Sequence, residues 1–290
     1  MAGLLNKFVV GASVVVGMSA VVAPAQAAVL GMNGSDYKTY THDINNLWVG
    51  GEGAAIDALT DGDLTTNVEL NYTGESDDKN VGFTAVAGDY TVNVSSVTDA
   101  EFLTFQDKWV ADLMDAYAPL KAVWGGLSSN VQTIAKNMFT GVVGSGDVNV
   151  AEFSLDETGA ISMQTMGFFD LKPRVNMMIG AALSNQMTAM LFGAELNALS
   201  GALGQIDALQ ISEIAKVTIN GQSEYVYGFN ATNSGFVALD DVAGKSYSGV
   251  YAWSKAGQPP VAAVPEPSTM LGLMAVGGLF AAAKRKANKA

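Results

Sequence analysis

The chain of 290 residues contains no cysteine. That excludes disulfides, thiolate nucleophiles, cysteine-bound zinc and iron–sulfur centres, so the fold rests on its core alone. Histidine occurs once, as His42. A serine–histidine–aspartate relay would have to use it, its neighbour Asp43 is poorly placed to orient it, and no G-x-S-x-G elbow supplies a nucleophile. A lone imidazole would also need carboxylates around it to hold zinc. His42 therefore reads as a surface or loop residue. Basic side chains are scarce as well, 15 Lys and Arg against 28 Asp and Glu. Five of them, Lys7, Lys284, Arg285, Lys286 and Lys289, lie at the two ends, while every acid lies between Ala28 and Pro267. The stretch from Ala28 to Pro267 thus sets ten basic groups against 28 acidic ones, a balance of −18 compared with −13 for the whole chain. Such a surface repels nucleic acid and anionic lipid, and no nucleic-acid partner is expected.

What the two ends do contain is ordered. Lys7 precedes an apolar run from Phe8 to Val22, and Ala25-Gln26-Ala27 follows as an A-x-A cleavage site. This is the layout of a secretory signal peptide over residues 1–27, with the mature chain starting at Ala28. It calls for an export translocon and a signal peptidase. At the other end, Pro265-Glu266-Pro267 is followed by an apolar segment from Met270 to Ala283 and then by Lys284, Arg285, Lys286 and Lys289. As a helix that segment would be about 21 Å long, short of the roughly 30 Å of a bilayer's hydrocarbon core. Gly272, Gly277 and Gly278 weaken it further as a lasting anchor.

The order of these three parts resembles the PEP-CTERM sorting signal of exported proteins from bacteria that make extracellular polysaccharide. The resemblance covers residues 265–290. It implies that a membrane protease of the exosortase type recognises Pro265, Glu266 and Pro267 and removes the apolar helix, with the basic tail acting as the membrane stop. It also implies transient tethering, then residence at the cell surface or in the extracellular matrix, with exopolysaccharide as a partner. Residues 256–264 (AGQPPVAAV) form a linker whose prolines keep it extended and accessible.

Residues 28–255 read as one α+β body. Residues 28–53 are polar and Gly-rich and read as an irregular or short-stranded entry. Strand signals run over about 68–97, with a turn at Gly88-Asp89, over 148–163, with a turn at Asp156 to Gly159, and over 217–253. Asn220-Gly221 between alternating residues favours a tight hairpin, since both positions tolerate positive φ. Helical spacing takes over at about 99–140. Thr98 and Glu101 have the form of a capping box, Phe102, Phe105, Trp109, Leu113 and Ala116 share a face, and Pro119 closes the helix. A second helix, capped at Ser129, carries Val131, Ile134, Ala135 and Met138 on one stripe and ends at Gly141. Residues 177–215, rich in Ala, Met and Leu, read as further helix, broken or weakened at Gly193, Gly201 and Gly204. The first and last strands are expected to pair across the intervening helices.

Candidate chemistry is sparse. Gly50 to Gly53 and Gly141 to Gly146 complete no nucleotide-binding pattern. Carboxylate pairs occur at Asp77/Asp78, Asp156/Glu157 and Asp240/Asp241, but glycosidase chemistry needs two carboxyls held across a sugar, which adjacency in an acidic chain does not supply. Asp61, Asp63 and Asn67 form the best calcium candidate, because alternate oxygen ligands in a tight loop suit a hard cation. Their segment, Ala58 to Asn67, resembles the opening of discoidin-type carbohydrate-binding jelly rolls, although helices after Thr98 do not fit an all-β sandwich. The expectation is a non-enzymatic surface or matrix protein without cofactor. A carbohydrate- or calcium-binding module is the first alternative and a carboxylate-based hydrolase the second.

Overall fold

The computed structural model describes residues 28–51, 54–73, 80–141, 147–238 and 247–257. The expected signal peptide, the Asp77/Asp78 and Asp240/Asp241 pairs and the sorting segment lie outside these residues. The body is a mixture of antiparallel sheets and helices, as its periodicities predict. In chain order it runs through strands β1 (Val29–Asn33), β2 (Tyr37–His42) and β3 (Leu47–Gly51), helix α1 (Ala55–Thr60), then β4 (Thr66–Leu70), β5 (Gly82–Ala87) and β6 (Tyr90–Ser95). Helices α2 (Asp99–Ala116), α3 (Ala118–Trp124) and α4 (Ser129–Gly141) follow, then β7 (Asn149–Leu155) and β8 (Ile161–Phe168). Helices α5 (Lys172–Ser184) and α6 (Gln186–Leu203) lead to β9 (Ile211–Ser212), β10 (Ala215–Ile219), β11 (Gln222–Val226), β12 (Thr232–Asn233), β13 (Val237–Ala238) and β14 (Tyr247–Lys255).

The strands form two sheets. One has the order β1-β5-β6-β10-β11; the other runs β12-β14-β8-β7-β4-β2-β3-β13, with β9 attached to β8. Early and late strands do pair: β6 lies against β10 with Val94 opposite Val217, and β13 lies parallel to β3. The sheets share a core of Val68, Leu70, Phe153, Leu155 and Met163 from one and Phe83, Ala85, Val92, Val94 and Val217 from the other. These residues alternate along their strands, which is what one buried face per sheet demands. Helix α1 adds Ala55, Ala58 and Leu59 to this core.

A second core belongs to the helices. Trp109, Leu113, Leu120, Val131, Phe139, Val175, Ile179, Leu196 and Leu199 are buried in it. It reaches the five-stranded sheet where Phe105 stacks on Tyr225, ring centroids 4.1 Å apart. The capping box is present: the Thr98 side chain accepts from the Glu101 amide, and Glu101 accepts from the Thr98 amide. That registers the start of α2 and points Phe102 and Phe105 inward, while Ala116 at its far end is exposed.

Residues 28–51 are three short paired strands, the short-stranded of the two forms expected for this stretch; their alternation is masked by glycine and by polar residues on the open side. Three boundaries differ from the sequence reading. Helix α1 occupies a segment with too few turns to show a period. Pro119 opens α3 instead of closing α2, a place where its missing amide costs no hydrogen bond. Helix ends at Leu203, and residues 211–219 carry two strands, β9 and β10, instead of helix: Ile211 and Ile214 pack on the helices but Ala215 and Val217 on the sheets. Asn220 and Gly221 turn the β10–β11 hairpin at φ 47° and 83°, as their sequence requires.

Candidate functional site

The calcium candidate sits between α1 and β4. Gly62 takes φ 70°, turning the chain between Asp61 and Asp63. The Asp61 carboxylate accepts the Asp63 amide at 2.8 Å and the Thr66 hydroxyl at 2.7 Å, and Asp63 accepts the Thr65 amide at 2.9 Å. Donation by Thr65 holds the Asp63 carboxyl below its ordinary range. Both acids are exposed and tie the loop to itself. Asn67 is not with them: it lies within β4, 1% exposed, opposite Tyr40 of β2. Strand alternation separates it from the loop, since a residue inside a paired strand takes the face its register dictates. Among the described residues, no group of three or more His, Asp or Glu side chains is gathered to hold a metal.

The other candidates are accounted for locally. Asp156 accepts the amides of Thr158 and Ala160 and the Thr158 hydroxyl, closing the β7–β8 turn. Burial raises the Asp156 carboxyl, but those donors outweigh it and hold the group below its ordinary value. His42 ends β2 in an exposed position, its ring 5.2 Å from that of Phe236.

The polar feature that sequence reasoning missed lies on the face of the larger sheet turned away from the shared core. Tyr40, Trp48, Ala151, Met166 and Val250 form a small third core there, with Leu64 and Phe236 packed on it. Tyr40 donates its hydroxyl to the Glu69 carboxylate across the β2–β4 pair. Lys38 lies over the Tyr72 ring, 4.1 Å from its centroid, and over Tyr40 at 5.2 Å. Phe236 stacks on Trp48 at 6.1 Å. Two donors in this layer, Asn67 Nδ2 and Trp48 Nε1, meet no acceptor among the described residues, so the layer can take an acceptor oxygen such as that of water or a hydroxyl group. A further buried carboxylate, Glu213, accepts from the Asn149 amide at 2.7 Å, and Asn149 stands opposite Glu69 in the β4–β7 register. Glu69 and Glu213 are 7% and 1% exposed, so in this conformation they serve the hydrogen bonding of the sheet rather than face solvent. The alternation Lys38-Tyr40-His42 was the available signal; it was hidden because neither of its faces is purely apolar.

The residues expected to be processed flank this body in sequence. Ala28 is the first described residue, packs against the shared core and is followed directly by β1. Ala25, Ala27, Pro265, Glu266, Pro267, Lys284, Arg285, Lys286 and Lys289 lie outside the described residues, as does the apolar segment expected to tether the chain. Among the described residues, no helix is long and apolar enough to cross a membrane. Residues 263–286 match the family described as the PEP-CTERM protein-sorting motif. The chain therefore carries the sorting signal of an exosortase substrate, and this supports an exported, surface-directed protein. No curated protein and no solved structure matches the chain.

Proposed function

We propose that residues 28–257 are a non-enzymatic module of the cell surface or extracellular matrix, delivered by the two terminal signals and associated there with exopolysaccharide. The observation that carries the reading is the placement of the sorting motif: it begins at residue 263, just beyond Gly257, where the compact body ends. The intervening Pro-rich stretch leaves room for a protease to act without unfolding a strand. The balance of residues 28–257, ten basic groups against 27 acidic ones, suits a protein that stays dispersed in a hydrated matrix. The chain's motifs supply no nucleophile–base pair, which favours binding or structural work over catalysis.

Intact-mass and C-terminal peptide analysis of the protein from its host tests the processing. The expected mature form begins at Ala28 and ends near Pro265 to Pro267. A C-terminus at Ala290 on the mature protein ends the reading. Co-sedimentation with the host's own polysaccharide tests the association separately, with retention in the pellet expected.

A further inference from the structure

Helix α6 is apolar on both of its sides, although the described residues cover only one of them. Leu196, Leu199, Ala202 and Leu203 face the helical core and are buried. The opposite stripe is Met187, Met190, Leu191, Ala194, Ala198 and Gly201, all exposed and spaced at helical intervals of three and four. Met190 is 77% exposed, Met187 68% and Leu191 58%. A helix that is apolar all round is ordinarily buried all round. Charge is missing from this region too: no ionisable residue occurs from Val175 to Ala194. The single acid of α6, Glu195, is turned off the stripe to accept the Ser128 amide at 2.5 Å beside the start of α4. Helix α5, joined to α6 through Asn185 and by a hydrogen bond between Ser200 and Asn176, exposes Met177.

We propose that this face is where a second copy of the chain docks, α6 against α6 about a two-fold axis. Two arguments select that occupant. The first is charge. Most contacts between two such acidic bodies set carboxylates against carboxylates, whereas this face lets them meet over an uncharged surface. A two-fold axis also requires a patch that complements itself, which a neutral apolar stripe does. The second is shape. Large Met and Leu side chains fill the N-terminal half of the stripe and Ala and Gly the C-terminal half, so an antiparallel partner brings ridges over grooves. A lipid surface fits less well. Helices that lie in anionic membranes carry Lys or Arg along their polar flank, and residues 175–203 contain neither.

The stripe from Met187 to Gly201 is about 21 Å long at 1.5 Å per residue. One helix-width of that length is a few hundred square ångströms, well below the roughly 800 Å² per partner of a stable complex. The dimer is therefore weak and concentration-dependent. Salt strengthens it, because ions screen repulsion between the acidic bodies and leave the apolar contact intact.

Sedimentation velocity of the protein recovered from its host, from micromolar to millimolar concentration and in 0.05 to 0.5 M NaCl at roughly half-decade steps about the ordinary range of screening, tests this. A monomer–dimer equilibrium is expected, with the apparent Kd falling at least severalfold as salt rises. The Met190→Gln/Leu191→Gln pair, neutral and at exposed positions, should abolish the dimer with the melting temperature unchanged. Leu103→Gln, at a leucine on α2 more exposed (69%) than Leu191, should leave it intact. A monomer throughout, a dimer that survives the α6 pair, or one that Leu103→Gln also removes overturns the proposal. So does a dimer that salt weakens, or binding to anionic vesicles lost in the α6 pair without any dimer.

Discussion

Tyr117 and Gln210, 93 residues apart, are joined through both faces of one hydroxyl: the phenol donates to the Gln210 carbonyl at 2.9 Å and accepts from the Gln210 amide at 2.6 Å. The same hydroxyl also reaches the Phe229 carbonyl at 3.1 Å. One oxygen thereby ties the α2–α3 corner to the stretch before β9 and to the one after β11. Burial drives the phenol well above its ordinary pKa, so it stays a neutral donor across the working range.

Tyr117→Phe removes that oxygen and leaves half-buried backbone groups of Gln210 and Phe229 short of a partner. The expected loss of stability is about 1–3 kcal/mol. Urea denaturation checks it, and an unchanged midpoint with unchanged slope would show that water replaces the hydroxyl at no cost.

Glu101 couples the capping box to β10, accepting from the Thr98 amide, from Asn80 and from Lys216 at 2.5 Å. Burial raises the Glu101 carboxyl, but donation by Lys216, Asn80 and Thr98 outweighs it and the group lies below its ordinary 4.5. The folded state thus favours the carboxylate. Its contribution is complete above about pH 5 and is lost as pH falls through and below 4.5. Glu101→Gln should melt lower than the parent at pH 7, and the gap should close towards pH 3. A gap that widens on acidification contradicts the assignment.

Gly82 allows β5 to pass against β6 where a side chain cannot fit. A methyl group built there meets the Val94 carbonyl oxygen at 1.9 Å and the Ser95 Cα at 2.6 Å. These are backbone atoms of the paired strand and cannot swing aside. Gly82→Ala is expected to cost at least the ~1–3 kcal/mol of an overpacked core. Gly31→Ala, on the neighbouring strand with open space around it, is the control and should cost far less.

The Asp61–Asp63 loop closes through its own amides and the Thr66 hydroxyl. Millimolar calcium is therefore expected to leave the thermal midpoint where it was. A rise of several degrees that disappears in Asp61→Asn would restore the calcium reading.

Legibility followed locality. Thr98 and Glu101 form a capping box because the partners are three residues apart, and Asn220-Gly221 turns a hairpin because positive φ is a property of those two residues. The Tyr40–Glu69 layer was hidden for the opposite reason. Neither residue signals the other, and only the β2–β4 register brings the phenol over the carboxylate. Residues 204–215 misled because a core at the helix–sheet junction makes Ile211 and Ile214 as apolar as the helices before them.

Composition and short motifs by themselves determined the chemistry this protein does without, its acidic balance, its mixed helix and strand content, and the sorting signal that directs it outward. Each of these is written in neighbouring residues or in counts, so no fold is needed to read it. Only the tertiary structure decided that Asn67 parts company with Asp61 and Asp63, that two carboxylates are buried beside Asn149, and that α6 shows an apolar stripe to solvent. Those facts depend on strand register and on which helix face the core claims, and both are set by partners far away in the chain.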